Sequence, residues 1–537
     1  MKIVALGDSV TLSYGPKRSP WILHSWPKIL ERVLSSNLEE RVIVINSGVG
    51  GDTTRGALNR LDRDVFQHEP DYLLVMFGLN DALNVYRSIT AEEYENNLRI
   101  IVELANNRNI KVVLLTPNPV TERFIRYREG KSLERLKIFV ERVRKIAREL
   151  NVPLIDVFQL FLDNENYIET LYDGVHPDYI GQCMLGSYLA YSLLSFSGKS
   201  MVRMNLEKLI TVWADGNYNA FTDMIYWRGE YYITFRQGSA HFIPDVADGK
   251  IMVIKSKDLE KWERIALLEV EGWDARDPKF LVLNDRLFIY TQSWSPIKRI
   301  HETFVFYTDD GNKWYGPYDC GEQVFWRPRV YEGKAYVIAY HPVESGKWRR
   351  DEEGERQIDL LVSSDGLHWE KVTTIYTGDY VNETDMLFIG NEAIALARIE
   401  KDPRKPLLLK SRHPFREWSI NRLNTVLQGP LLMEYRGKIF AIGRMYTGKG
   451  GKVFLPDHAR TGIFLLEENK LKLLMELPSA GDTSYPGVVK LKNGKIAVSY
   501  YSSHERYLYE NNLVNRYRRF TSDYKPNIYL AILSIEF

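Results

Sequence analysis

The sequence predicts two folds in one chain of 537 residues, an α/β domain over residues 1–195 and a six-bladed β-propeller over residues 206–537. In the first part, short apolar segments alternate with amphipathic helices, which is typical of a parallel sheet covered by helices on both faces. After residue 205, short alternating strands and turns containing Gly or Asn replace the helical periodicity. A two-strand unit then recurs along the chain, and such recurrence indicates a repeat architecture.

Hydrophobic periodicity predicts the elements of the α/β domain in order. Strands are expected at residues 2–6, 42–45, 72–77, 111–115 and 153–157. Three helices are expected over residues 53–66, 132–150 and 179–194. Two more are expected to begin at Ser25 and at Thr90, the second with a capping box formed by Thr90 and Glu93. The prediction is therefore a three-layer α/β/α fold with a flavodoxin-like parallel sheet.

Four polar segments lie at strand ends or before the last helix of this domain. They are Gly7-Asp8-Ser9-Val10, the segment 46–54, Gly78-Leu79-Asn80-Asp81 and the segment 173–177. The carboxyl ends of parallel strands meet at one edge of a sheet, where α/β proteins place their active sites. We therefore expect these segments to form one site.

The residue types in these segments suit nucleophilic catalysis. A serine hydroxyl needs a base within hydrogen-bond reach, and His176 is the candidate base for Ser9. Asp173, three residues before His176, could orient the imidazole and stabilise the imidazolium ion. Structural alternatives exist: Gly-Asp-Ser forms ordinary turns, Asn80 could cap a helix, and His176 could be a surface side chain.

In this order, the four segments resemble the conserved blocks of the SGNH (GDSL-type) esterases over about residues 1–195. Val10 departs from the leucine that is frequent in that family. The resemblance implies a Ser9–His176–Asp173 triad. It also implies an oxyanion hole formed by the backbone N–H groups of Ser9 and Gly51 and by the side-chain amide of Asn80.

Residues 196–205 are predicted to be a linker, and six copies of a two-strand unit follow. The copies span residues 222–234, 277–290, 328–340, 385–397, 430–443 and 486–500. Their spacing of roughly 45–57 residues is the size of one four-stranded propeller blade. The alternating segment 527–537 is expected in the last blade, with residues 209–214 beside it to close the ring.

A second repeated marker consists of a Ser or Thr, an Asp and a Trp at fixed offsets. It occurs over residues 256–262, 308–314 and 363–369, with a looser copy over 411–418. These segments resemble the Asp-box turns of sialidase-like propellers. We expect a structural role, in which the Asp accepts hydrogen bonds from turn N–H groups while the Trp packs between blades.

Charged and polar residues occupy the starts of the predicted inner strands, which line one mouth of a propeller. The candidate site residues are Asp223, Arg236, Asp277, Arg329, Glu383, Asp385, Arg398, Arg444 and Tyr485. They could pair with one another, bind a carbohydrate, or form a glycosidase site. The resemblance to sialidases implies an arginine cluster with a Tyr–Glu nucleophile pair and an Asp acid. The residues that could supply these types are Arg236, Arg329 and Arg398 with Tyr485, Glu383 and Asp223. The Arg-Ile-Pro signature of the family is absent, and Phe235-Arg236-Gln237-Gly238 stands instead.

Composition limits the remaining function classes. A net charge of +1 offers no electrostatic reason to bind nucleic acid or a membrane. Two cysteines, Cys183 and Cys320, and ten scattered histidines indicate neither a disulfide framework nor a metal site. No phosphate-loop motif accompanies the glycine-rich segment 48–51. We therefore expect no cofactor and no metal.

We also expect a cytoplasmic location, because the strand that carries Ser9 begins at the second residue.

The sequence favours a serine esterase that removes acyl groups, with acetyl as the preferred group, from a carbohydrate that the propeller binds. One alternative is a glycosidase in the propeller, either alone with the first domain as an accessory or together with the esterase. Another is a glycan-binding scaffold whose esterase site is vestigial. The partner expected in each case is a carbohydrate, and the oligomeric state is left open.

Overall fold

The protein is described here by a computed structural model that covers residues 1–13, 24–38, 40–83, 89–121, 123, 132–198, 202–348, 355–448, 458–505 and 525–537. These residues form two compact units. The first comprises Met1–Glu207, Leu473–Glu476 and Ile535–Phe537, and the second comprises Lys208–Lys472 and Leu477–Ser534.

The first unit contains a five-stranded parallel sheet with the order β2-β1-β3-β4-β5. Its strands are β1 (Lys2–Gly7), β2 (Ile43–Gly48), β3 (Tyr72–Met76), β4 (Lys111–Leu115) and β5 (Leu154–Ile155). Residues 3–6 of the interior strand β1 are completely buried, as their continuous apolar run predicts. Gly7 pairs with Gly48 on one side and with Met76 on the other, so three strands end level with one another.

Helices flank this sheet. They are α1 (Ser9–Leu12), α2 (Trp26–Leu38), α3 (Thr54–Leu58), α4 (Leu61–Asp64), α5 (Leu79–Leu83), α6 (Ala91–Asn106), α7 (Ser132–Glu149), α8 (Val157–Leu162) and α9 (Tyr179–Phe196), with short 3₁₀ turns at Phe66–His68 and Tyr167–Thr170. The Thr90 hydroxyl accepts the Glu93 N–H, which confirms that half of the predicted capping box.

Two predicted elements differ from the structure. The helix expected over residues 53–66 is divided into α3 and α4, because Arg60 leaves the helical conformation (φ −125°, ψ 7°) and directs its side chain to other segments. The last strand is only two residues long, because Asp156 already caps α8 by accepting the Gln159 N–H. Among the residues that the structure describes, no helix is long and apolar enough to cross a bilayer.

The second unit is built from six antiparallel sheets, which are the predicted blades. The chain enters through β6 (Arg203–Trp213), an outer strand of blade 6. Blades 1 and 2 have four strands each: blade 1 contains β7 (Tyr218–Trp227), β8 (Glu230–Gly238), β9 (Lys250–Ser256) and β10 (Glu263–Leu268), and blade 2 contains β11 (Asp274–Leu283), β12 (Arg286–Trp294), β13 (His301–Thr308) and β14 (Tyr315–Asp319). Blade 3 contains β15 (Val324–Phe325), β16 (Arg329–Tyr331), β17 (Lys334–Pro342), β18 (Arg356–Ser363) and β19 (Glu370–Thr377), and blade 4 contains β20 (Thr384–Ile389), β21 (Glu392–Ala397), β22 (Leu407–Arg412) and β23 (Ser419–Arg422). Blade 5 contains β24 (Gln428–Tyr435), β25 (Lys438–Tyr446), β26 (Ala459–Glu467) and β27 (Lys470–Leu477), and blade 6 contains β28 (Thr483–Lys490), β29 (Ile496–Ser502) and β30 (Asn527–Glu536) beside β6.

The ring closes where the sequence predicts. Strand β30 pairs with β29 on one side and with β6 on the other, so blade 6 joins the first and last strands of the unit. The innermost strand of blade 1 in turn packs against β28 of blade 6. Because the ring is closed, every innermost strand packs against a neighbouring blade. A row of blades that did not close would instead leave the blades at its two ends exposed.

Bulges interrupt the inner strands at the same place in four blades. The register shifts after Ala220, Arg276, Gln428 and Ser484. The next residue in each case has a positive φ, namely Phe221 (62°), Asp277 (44°), Gly429 (58°) and Tyr485 (49°). Bulges turn side chains away from the regular pleat, so Phe221, Asp277 and Tyr485 depart from the in–out alternation of their strands.

The Ser/Thr-Asp-Trp marker forms turns with the hydrogen bonds that the sequence predicts. In the second copy, Asp310 accepts the backbone N–H groups of Asn312 (2.8 Å) and Lys313 (2.9 Å). The Thr308 hydroxyl accepts the N–H of Gly311 at 2.9 Å. The tryptophan of the third copy, Trp369, packs on aromatic side chains of the neighbouring blade.

Candidate active site

Ser9 lies where the interior strand β1 turns into helix α1. Its side chain is at the carboxyl edge of the sheet, and the residue is 9% exposed. Asp8 caps α1 by accepting the Val10 N–H at 2.9 Å. A Cβ atom added at Gly7 would lie 2.1 Å from the Thr11 hydroxyl and 2.7 Å from the Met76 carbonyl, so only glycine allows this turn to pack so closely.

The structure brings Ser9, His176 and Asp173 into one hydrogen-bonded chain. The Ser9 Oγ lies 2.8 Å from His176 Nε2, and His176 Nδ1 lies 2.7 Å from Asp173 Oδ2. The other oxygen of Asp173 accepts the backbone N–H groups of Val175 (3.1 Å) and His176 (2.8 Å), which fixes the carboxylate.

The charge state of Asp173 sets the histidine tautomer. Burial acts to raise the pKa of Asp173. The hydrogen bond from His176, the charge of the imidazolium form of His176 and the backbone N–H donors together outweigh burial, so the pKa of Asp173 lies below its ordinary value. An ionised Asp173 accepts the proton of Nδ1, so Nε2 is left to accept from the Ser9 hydroxyl. This is the arrangement in which a serine can lose its proton to an imidazole.

The two other predicted oxyanion donors follow the strands on either side of β1. Gly51 comes after β2 and has a φ of +73°, and a Cβ added there would meet no atom within 4 Å. Its backbone therefore adopts a conformation that favours glycine and borders open space. Asn80 lies in α5 after β3, and its amide nitrogen is 3.4 Å from Asp8 Oδ2.

Buried carboxyl groups surround this site, and sequence reasoning missed their part. Burial raises the pKa of Asp8 to about 7, although the Val10 hydrogen bond and the His176 charge lower it. Burial also raises the pKa of Asp81 to about 6. Asp81 accepts the backbone N–H (3.0 Å) and the hydroxyl (2.6 Å) of Thr54, which ties the helix that carries Asn80 to the segment after Gly51. The positions of Asp8 and Asp81 beside Ser9 and Asn80 were visible in the sequence, but their burial was not.

At the propeller mouth, the structure brings together three of the predicted residues. The Tyr485 hydroxyl donates to Glu383 Oε1 at 2.7 Å, and the Arg398 guanidinium lies 2.5 Å from the same oxygen and 3.0 Å from the Tyr485 hydroxyl. The Gly429 N–H donates to the other Glu383 oxygen at 3.0 Å. Burial and the neighbouring Glu383 charge raise the pKa of Tyr485 well above its ordinary value.

Two further predicted residues border this cluster. The Arg444 guanidinium lies 5.1 Å from the centre of the Tyr485 ring, and Arg444 pairs with Asp482 at 3.0 Å. Asp277 accepts from the Gln292 amide, while its second oxygen is buried and has no hydrogen-bond partner among the described residues. Gln292 was not among the residues singled out from the sequence.

The remaining predicted residues are engaged in separate ion pairs. Arg236 donates to Asp274 at 2.7 Å, and Arg329 donates to Asp385 at 2.6 Å. Asp223 accepts from Arg327 at 2.7 Å and from the Phe280 N–H at 2.8 Å, so both of its oxygens are occupied. These contacts link inner strands of different blades.

A parallel α/β sheet that presents a serine, a histidine and an aspartate at its carboxyl edge has the architecture of a serine hydrolase. Comparison with known proteins specifies the family. The chain belongs to the GDSL-like lipase/acylhydrolase family, whose model matches residues 5–182. It is therefore a carboxylic ester hydrolase by family.

Two curated relatives match this part of the chain. An acetylxylan esterase of Geobacillus stearothermophilus is 30% identical over 160 residues, which cover 26% of this chain and 68% of the relative. Thioesterase 1/protease 1/lysophospholipase L1 of Escherichia coli (strain K12) is 27% identical over 194 residues, which cover 36% of this chain and 82% of the relative.

A solved structure also resembles the chain in fold. A protein of unknown function from Dyadobacter fermentans superimposes with a TM-score of 0.51 at 16% identity, covering 62% of this chain and 99% of that protein. At this identity the likeness concerns the fold alone.

Proposed function

We propose that the first unit is a serine esterase that removes acetyl groups from a carbohydrate, with Ser9, His176 and Asp173 as its catalytic triad. The observation that carries the proposal is the continuous chain of hydrogen bonds of 2.8 Å and 2.7 Å that joins the three side chains. Such a chain supplies a nucleophile, its base and the group that orients the base.

The reaction would proceed in two steps. Ser9 Oγ attacks the ester carbonyl carbon as its proton passes to His176 Nε2, and the imidazolium then protonates the departing sugar oxygen. Water next attacks the acyl-enzyme while giving a proton to His176, and acetate leaves as Ser9 regains its proton. In each step the negative charge on the carbonyl oxygen would be held by the N–H groups of Ser9 and Gly51 and by the Asn80 amide.

Two observations support the finer part of the proposal. The relative from Geobacillus stearothermophilus is an acetylxylan esterase, so an enzyme similar in sequence acts on an acetylated sugar polymer. The propeller brings Glu383, Arg398 and Tyr485 together. Their carboxylate, guanidinium and phenol groups are of the kinds that form hydrogen bonds with sugar hydroxyls.

The test is acetate release from a panel of acetylated mono- and oligosaccharides. Wild-type protein should release acetate, and Ser9→Ala should lower kcat by ~10³-fold or more. Ser192→Ala is the matched control, because its hydroxyl donates only to the Tyr188 carbonyl one helical turn earlier. Acetate release that is equal in Ser9→Ala and wild type would contradict the proposal. No release by the folded wild type would favour a vestigial esterase site and a glycan-binding role.

A second candidate function is glycoside hydrolysis at the propeller mouth. It is favoured by the Tyr485–Glu383 hydrogen bond of 2.7 Å. Glu383 would take the phenol proton as the Tyr485 oxygen bonds to the anomeric carbon of the sugar, and the bond from that carbon to the aryl oxygen would break, so that the aryloxide leaves. Asp223, the acid suggested by the sequence, is an unsuitable proton donor because Arg327 and the Phe280 N–H occupy both of its oxygens. Release of a chromophore from aryl glycosides of acidic sugars that survives Ser9→Ala but is lost in Tyr485→Phe would support this activity. Equal release by Tyr485→Phe and wild type would exclude it.

A further inference from the structure

Arg60 is a buried cation that binds several segments of the first unit at once. Only 8% of the residue is exposed. Its guanidinium donates to the Gly7 carbonyl (3.0 Å), to the Ser47 carbonyl (2.8 Å) and to Asp52 Oδ2 (2.7 Å). A fourth bond of 3.0 Å reaches Asp64 in α4.

Three of these acceptors lie close in the chain to Ser9 or to Gly51. Gly7 is the last residue of β1 and comes two residues before the nucleophile Ser9. Ser47 is near the end of β2, directly before the loop that carries Gly51, and Asp52 is the residue after Gly51. Arg60 therefore holds both ends of the Gly51 loop and the strand end that leads to Ser9.

The two segments that Arg60 joins also touch each other directly. The Val49 N–H donates to the Gly7 carbonyl at 3.0 Å, so this carbonyl receives bonds from both Val49 and Arg60. A Cβ atom added at Gly48 would lie 2.1 Å from the Leu12 nitrogen in α1. The loop thus packs against the nucleophile helix with no space between them, and a change in its path would move Gly51 relative to Ser9.

A guanidinium suits this position better than other side chains. It offers donors in a fixed plane, and here they satisfy two carbonyl oxygens and two carboxylates. Asp52 and Asp64 balance its charge within the unit. The break between α3 and α4 at Arg60 lets the side chain leave the helical path and reach Gly7, 53 residues earlier in the chain.

We propose that Arg60 is a positioning residue of the esterase, which holds the Gly51 loop against the Ser9 turn at the separation that a shared oxyanion requires. The inference rests on the proposed esterase function. Donors stabilise an oxyanion only when they lie about 2.7–3.1 Å from it, and a misplacement of about 1 Å can cost ~10² in rate. Arg60 touches no reacting atom, so its effect would pass through Gly51 and Ser9.

The test compares Arg60→Gln and Arg60→Lys with the matched control Arg63→Gln. Arg63 lies three residues further on, in α4, but 71% of its side chain is exposed, and its ion pair among the described residues is with Asp64. Two rates are measured: hydrolysis of p-nitrophenyl acetate, and labelling of Ser9 by a fluorophosphonate. In labelling, the Ser9 oxygen bonds to phosphorus, fluoride leaves and His176 takes the proton, so no native substrate is needed.

Arg60→Gln should lower both kcat and the labelling rate by ~100-fold with little change in KM, because the loss falls on the transition state. Arg60→Lys should recover part of the rate, since it keeps the charge and some of the donors. Arg63→Gln should behave as wild type. Asp52→Asn, which keeps Arg60 but weakens its Nε bond, should lower the rates by a smaller factor.

A proton NMR measurement separates positioning from unfolding. The low-field signal of the His176 Nδ1 proton reports the bond to Asp173, and it should persist in Arg60→Gln while the rates fall. The inference is overturned if Arg60→Gln keeps the signal and labels Ser9 at the wild-type rate. It is also overturned if Arg60→Lys and Asp52→Asn lose activity only in proportion to the fraction unfolded. If the wild type itself is not labelled, the proposed esterase function fails, and this inference fails with it.

Discussion

At the scale of single residues, the unusual feature of the first unit is a carboxyl group buried directly beside Ser9, the proposed nucleophile. Asp8 is 2% exposed, and its pKa is raised to about 7, mainly because burial disfavours the charged form. Its neighbours Asp81 and Asp52 act in the same direction, whereas His176 and the Val10 N–H act in the opposite one. The cap of α1 therefore holds a group that titrates near neutral pH.

This pKa predicts that Asp8→Asn stabilises the protein increasingly as the pH rises. A carboxyl whose pKa is raised in the folded state contributes most stability below its unfolded value of 3.8 and loses it as the pH rises through about 7. The corresponding change in unfolding free energy is on the order of 4 kcal/mol as an upper bound. Asn cannot ionise, so the variant should show a larger gain in Tm at pH 8 than at pH 5.

Thermal unfolding followed by circular dichroism at several pH values measures this difference. Asp62→Asn is the control, because it removes the same charge from a side chain that is 93% exposed. A Tm difference between Asp8→Asn and wild type that stays constant from pH 4 to pH 8 would show that Asp8 does not titrate in this range.

At the scale of elements, hydrophobic periodicity predicts those helices and strands that are stabilised by the burial of one face. Helix α7 is an example, since its apolar residues Leu136, Phe139 and Val140, whose spacing places them on one helical face, are all buried. The blades follow from the same reasoning, because the alternation of two strands and a turn is local information. The prediction fails over residues 53–66, where the bonds of Arg60 to distant carbonyls divide one expected helix into two.

The site shows the same limit of sequence reasoning. Ser9, His176 and Asp173 are recognisable because their types and order are characteristic of one chemistry, and the structure places them in contact. In contrast, the sequence offers Tyr485 and Glu383 only as residue types that could form a Tyr–Glu pair, and it does not show that they would be in contact across 102 residues. That pairing depends on the bulge at Tyr485 and on the packing of different blades, neither of which local patterns encode.

At the scale of the whole molecule, each unit has its own means of holding its site. The first places Ser9, Gly51 and Asn80 after the level ends of three adjacent parallel strands, and His176 and Asp173 reach Ser9 from the segment before α9. The second holds residues from different blades together through ring closure, since the Tyr485–Glu383 bond joins blade 6 to the start of blade 4. The integrity of the propeller site should therefore depend on β30, although β30 carries none of the candidate site residues.

We predict that Ala531→Pro in β30 opens the ring. Ala531 is completely buried and lies opposite Val498 of β29, in a strand that pairs with β6 on its other side. Proline removes the backbone N–H, and the buried acceptor left without a partner should cost about 1–3 kcal/mol in unfolding free energy, in addition to the steric conflict of the ring within a paired strand. Ala531→Gly is the control, because it retains the N–H and should cost only about 1 kcal/mol.

In Ala531→Pro, amide hydrogen exchange should quicken in β30 and also in β28, β29 and β7, because β7 packs against β28 across the closure. Faster exchange in β30 alone would mean that the blades are held by their own cores, and that closure contributes little to the arrangement of the mouth.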